Sequence, residues 1–153
     1  MARSGADLRV LRERTGASIE WLAHAAGVTE RSVGRWERDE PGGRWHVPVD
    51  VWDVLQAVAD RQAEIADEAI NMISETGASV VLLAYRDQDD FDSGGNPDGW
   101  TVAMQRAMLG LIQEACEVRI VWFERVLYDA WRAVHASDRL DTSALRSMWA
   151  ATT

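Results

Sequence analysis

Apolar side chains recur at helical spacing through the first half of the chain and give way to β-branched runs only after residue 77. Leu8 and Leu11, set among polar residues, mark an amphipathic segment over about 6–15, closed by Gly16, because glycine enters the left-handed conformation cheaply. Ser18 is placed to cap a second segment over 18–26, in which Ile19, Leu22, Ala23 and Ala26 share a face before Gly27 stops it. Thr29 caps a third, over 30–38, with Val33 and Trp36 inward and Glu30, Arg31, Ser32 and Arg35 outward or along the edge. Past Pro48 the stripe Val51, Val54, Leu55, Val58, Ile65, Ala69, Met72 and Ile73 predicts one long helix that bends near Asp60 and ends at Gly77. Its first turns are positioned to finish the N-terminal core.

The second half changes period. Ser79–Tyr85 (SVVLLAY) and Val118–Phe123 (VRIVWF) predict strands, and Trp100–Glu117 between them predicts an amphipathic helix. Two strands alone are marginal, so a third is expected from later in the chain or from another subunit. Arg125–Ala136 and Thr142–Ala150 predict two further helices, with Trp131 and Trp149 available to cover the sheet.

Two short helices joined only by Gly27-Val28-Thr29 must cross steeply, which is helix-turn-helix geometry. The run LRVLRERTGASIEWLAHAAGVTERSVGRWERDE resembles the Xre-like, or lambda-repressor-like, helix-turn-helix of bacterial and phage regulators. The resemblance is carried by Arg12, Gly16, Ser18, Leu22-Ala23, Ala26-Gly27-Val28-Thr29, Ser32, Val33 and Trp36-Glu37. Ala23 is small where the third helix crosses, and Gly27 holds a turn position that strains any side chain. Leu11, Leu22, Val28, Val33 and Trp36 are the expected core of the unit.

The resemblance implies that the third helix enters the major groove of double-stranded DNA with Glu30, Arg31 and Arg35 towards base edges. Ser32 then lies beside a phosphate or a base. Arginine bonds guanine O6 and N7 bidentately, whereas Glu30 can only accept, from cytosine N4, or orient Arg31 or help cap the helix. Ser18 and Thr29 lie at helix N-termini, where free amides attract phosphate, and Arg38 and Arg44 flank the duplex from the following loop. Arg12 and Glu37 resemble the family's internal ion pair, a structural link, with a phosphate contact of Arg12 as an open addition.

Charge agrees with this division. The formal total is -9, from 16 basic and 25 acidic residues, but residues 1–46 hold eight Arg against seven acids, or +1, and the remainder holds eight against 18, or -10. Affinity for nucleic acid follows the local field, so the first third alone is suited to phosphate. All the basic residues are arginine, which points to a GC-rich bacterial or phage source.

Other chemistries find little support. No apolar run approaches the roughly 20 residues of a membrane span, and the N-terminus lacks a secretory pattern, so a cytoplasmic, nucleoid-associated protein is expected. The segment RDQDDFDSGGNPDG is rich in aspartate, but no register places ligands at the positions of a calcium loop, and a solvated loop is expected. His24, His46 and His135 lack metal-ligand spacing, Cys116 reads as packing, and no catalytic constellation or cofactor motif is present. No enzyme, metal or cofactor is expected.

The expected fold class is α+β, mostly helical. A helix-turn-helix bundle with its connecting helix occupies 1–76, and a small β-containing dimerisation domain occupies 77–153. The pattern from the helix-turn-helix through Tyr85-Arg86, the acidic segment with Phe91, Gly99-Trp100 and VRIVWF resembles the YdiL-like regulators, which include anti-CRISPR-associated repressors. That resemblance implies a C-terminal dimerisation domain and repression of the protein's own operon. Val80, Leu82, Ile120 and Trp122 are expected near the core of a homodimer. The open alternative is an antitoxin-like or adaptor protein whose acidic half binds a partner protein.

Overall fold

The first two helices begin and end where a side chain or a glycine supplies what the backbone lacks at a terminus. In the computed structural model, which describes residues 3–38, 46–77 and 79–153, α1 (Gly5–Thr15) opens with a capping box. The Ser4 hydroxyl accepts from the Asp7 N–H at 3.2 Å, and the Asp7 carboxylate accepts from the Ser4 N–H at 2.7 Å. Gly16, at φ 74°, closes it. In α2 (Ile19–Ala25) the Ser18 hydroxyl accepts from the Trp21 N–H at 3.0 Å. Then come α3 (Glu30–Arg38) and the 28-residue α4 (Val49–Thr76), which is unbroken at Asp60.

The remaining elements are β1 (Val81–Ala84), α5 (Gln88–Gly95), α6 (Val102–Ala115), β2 (Arg119–Trp122), α7 (Arg125–His135) and α8 (Ser143–Ala150). The fold is thus α+β and mostly helical. The chain divides into two compact units, Met1–Ile65 and Ala66–Thr153, which part inside α4.

In the first unit, Leu8, Leu22 and Val33 of the first three helices and Val51 and Leu55 of α4 are fully buried. Leu11, Val28 and Trp36, expected in that core, are half-buried at its margin, and α4 supplies the apolar surface in their place. Buried Gln62 ties α4 to the end of α1 by donating to the Thr15 carbonyl at 2.8 Å.

In the second unit β1 and β2 are parallel, in the register Val81↔Arg119, Leu82↔Ile120, Leu83↔Val121 and Ala84↔Trp122. A parallel pair needs a crossover, which α5 and α6 provide. Among the described residues the sheet has these two strands, without the expected third. Helices supply the cover. Leu82, Ala84 and Ile120 pack with Ala66, Ile70 and Ile73 of α4 and Leu109 and Ile112 of α6.

The aspartate-rich segment, expected to be a loop, is helical. The Asp87 carboxylate accepts from the Asp90 N–H at 3.1 Å to cap α5, and Phe91 and Gly94, three residues apart, turn inward. Phe91 joins Tyr85, Phe123, Tyr128 and Trp149 in an aromatic cluster with neighbouring centroids 5.3–5.9 Å apart. Arg146 of α8 lies among these rings with no exposed surface, its Nη2 and Nε bonded to Asp141 at 2.6 and 2.9 Å.

Candidate nucleic-acid interface

The turn that presents α3 is built by its own backbone. Gly27 adopts φ 65°, a conformation that strains a side chain although no atom lies where a Cβ would point. The Val28 N–H returns to the Ala23 carbonyl at 2.9 Å, and the Ser32 N–H donates to the Thr29 hydroxyl at 3.2 Å, starting α3. Thr29 and Ser32 hydroxyls lie 2.9 Å apart, so both sit at the helix entrance.

Helical spacing then sorts the side chains of α3. Val33 is fully buried, and Glu37 turns inward to the guanidinium of Arg12. That pair is bidentate: Arg12 Nε to Glu37 Oε1 at 2.5 Å and Nη2 to Oε2 at 3.0 Å, with Arg12 Nη1 also donating to the Ala17 carbonyl at 2.9 Å. Arg12 therefore joins α1, the α1–α2 turn and the end of α3.

Opposite Val33, at four- and three-residue intervals, stand Arg31, Arg35 and Arg38. Arg31 and Arg38 are exposed and Arg35 is half-buried. Arg38, assigned by sequence to the flank with the loop, lies in the last turn of α3 on the same face as the other two. Arg38 Nη1 lies 3.6 Å from where a Cβ on Gly34 would stand. Glu30 is exposed at the N-terminal edge, and the side chains of Arg31 and Glu30 make no hydrogen bond or ion pair to another described residue. Because Arg12 neutralises Glu37 within the protein, the outer face of α3 is net basic in a strongly acidic chain.

Ser18 is exposed at the start of α2, its oxygen engaged by the Trp21 N–H. Arg44 falls outside the described residues. In the second unit Leu82, Ile120 and Val80 are half-buried, and Trp122 is 40% exposed beneath the guanidinium of Arg86, 4.7 Å from its centroid. Cys116 is half-buried at the end of α6.

Residues 4–65 match a family model described as a helix-turn-helix domain, a span that ends where the first unit ends. The first unit therefore carries a helix-turn-helix domain, a module of DNA-binding regulators. No curated protein matches the chain. No helix among the described residues is long and apolar enough to cross a membrane.

Proposed function

We propose that the protein is a sequence-specific transcriptional repressor, bacterial or phage in type, that binds an inverted-repeat operator as a homodimer and controls its own operon. The observation that carries this reading is the arginine face of α3, with Arg31, Arg35 and Arg38 opposite buried Val33. Arg31 and Arg35 read guanine, Glu30 accepts from cytosine or orients Arg31, and Ser18, Thr29, Ser32, Arg38 and Arg44 hold phosphates. A lone helix-turn-helix contacts few base pairs, and two copies related by a two-fold axis double the site. The second unit supplies the pairing surface, as the resemblance to YdiL-like regulators implies, with Val80, Leu82, Ile120 and Trp122 near it. Selection of bound duplexes from random DNA tests the proposal: a GC-containing inverted repeat with half-sites about one helical turn apart, or a multiple of it, is expected. Recovery of no enriched sequence overturns it.

A second reading, an antitoxin-like or adaptor protein, draws on α7, where Val126, Leu127 and Val134 are 80, 60 and 78% exposed along one side. A protein that is monomeric alone and forms a defined complex with a product of a neighbouring gene fits that reading instead.

A further inference from the structure

The two-stranded sheet has two edges, and the protein treats them differently. On β1, buried Gln105 of α6 closes the outer edge: its Nε2 donates to the Leu83 carbonyl at 2.7 Å and its Oε1 accepts from the Tyr85 N–H at 3.4 Å. One side-chain amide thus stands where the peptide group of a neighbouring strand would. Arg106 Nη1 donates to the Tyr85 carbonyl at 3.2 Å, so the protein's own side chains occupy the C-terminal half of this edge.

β2 has no such guard. The Arg119 N–H donates to the Val80 carbonyl at 3.1 Å and the Phe123 N–H to the Ala84 carbonyl at 2.9 Å, so its odd-numbered residues turn their backbone groups towards β1. Strand alternation turns those of Ile120 and Trp122 the other way. Among the described residues, no hydrogen bond outside the β1–β2 ladder reaches either residue. An open edge is a template for another strand. Trp122, 40% exposed, sets an apolar ring beside it.

We infer that this edge pairs with the same edge of a second copy, antiparallel about a two-fold axis through Val121, to make one four-stranded sheet. The inference rests on the homodimer reading above and names its interface. The alignment is self-complementary. Ile120 of each chain stands opposite Trp122 of the other, and both turn their N–H and C=O outwards, so two reciprocal pairs of hydrogen bonds form. A slip of one residue sets outward-facing groups against groups already bonded to β1, and removes the match.

Side chains agree with that register. Ile120 and Trp122 make an aromatic–β-branched pair across the strands, twice. A parallel arrangement sets Glu117 beside Glu117 and does not close. With Gln105 occupying the β1 edge, addition stops at two copies.

The test is a cross-link in the full chain. In a Cys116→Ala background, Val121→Cys places two thiols on the two-fold axis at a non-hydrogen-bonded antiparallel position, where Cα atoms are about 4.5 Å apart and a disulfide fits. Mild oxidation is expected to give a covalent dimer, whereas Val81→Cys, one strand inward, stays uncross-linked. Trp122→Ser is expected to weaken self-association about ten-fold in sedimentation, with an unchanged circular dichroism spectrum. If Trp122→Ser fails to fold, the cross-link decides. A dimeric protein in which Val121→Cys does not cross-link overturns edge pairing and leaves the homodimer reading in place. A chain that remains monomeric at micromolar concentration overturns both.

Discussion

The guanidinium of Arg146 fills the space left by the missing side chain of Gly94. A Cβ on Gly94 would lie 2.4 Å from Nη1 and 3.0 Å from Cζ of Arg146, and 3.0 Å from the Tyr85 hydroxyl oxygen. A long side chain usually swings away from such an intrusion, but this one is fixed. Asp141, the Asp90 carbonyl and the Ser93 hydroxyl hold its nitrogens, and the Phe123 ring lies 4.5 Å from Cζ. Gly94→Ala is therefore expected to destabilise the protein by about 1 to 3 kcal/mol, the usual cost of overpacking. Urea unfolding checks it; an unchanged midpoint would show that Arg146 has room to move.

The same cluster gives the protein an alkaline limit. Burial, and then the hydrogen bond from its hydroxyl to Asp141 at 2.6 Å, raise the Tyr128 pKa from 10.0 to about 12. Below pH about 10 the phenol is neutral in folded and unfolded chains alike, so its contribution is fully present. Between about 10 and about 12 only the unfolded chain ionises, and stability falls as pH rises. Tyr128→Phe loses the bond to Asp141, at about 2 kcal/mol at neutral pH, and also loses this slope. Thermal melts of both proteins across pH 8–11 are expected to converge; parallel curves would contradict the assignment.

Arg12 and Glu37 are expected to act as a unit in the helix-turn-helix domain. Their side chains are only 11 and 7% exposed, so removing either partner strands a charge that water cannot fully reach. Arg12→Ala or Glu37→Ala should each cost about 3 kcal/mol. The double mutant should cost clearly less than the sum, with a coupling of about 1 to 3 kcal/mol. Additive losses in a double-mutant cycle would mean that the two groups are independent.

Much of this was legible in the sequence where local chemistry decides structure. Gly16, Ser18, Gly27 and Thr29 each mark a terminus that needs a left-handed residue or an oxygen acceptor, and the first helices begin and end beside them. The β-branched runs likewise stand where β1 and β2 form. α5 was illegible because its residues QDDFDSGG contain one large apolar side chain, which leaves periodicity nothing to register, and two glycines that normally signal a stop. Arg146 was missed for a different reason. An arginine on an amphipathic helix is ordinarily solvated, and only tertiary structure brings Asp141 and the aromatic rings around it. The capping of β1 by Gln105 depends on the crossover and has no local signature. On α3, the inward turn of Glu37 to Arg12 leaves the arginine face its basic character, a pairing 25 residues apart in sequence.

Arg35 offers the sharpest test of that face. It lies at the centre of the row formed by Arg31, Arg35 and Arg38, four residues after the first and three before the last. The recognition helix of a helix-turn-helix directs its N-terminal part at base edges, and Arg35 lies one turn nearer that end than Arg38, the last residue of α3. Arg35→Ala is therefore expected to remove a bidentate guanine contact worth about 1 to 3 kcal/mol and to relax the preference at one position of each half-site. Arg38→Ala should instead weaken all duplexes alike and reduce the slope of log affinity against log salt by about one for each phosphate it neutralises. Binding measured on the selected operator and on single-base variants, at several salt concentrations, separates the two. Uniform loss for Arg35→Ala with selective loss for Arg38→Ala would show the two roles to be exchanged, and an unchanged profile for Arg35→Ala would remove it from the interface.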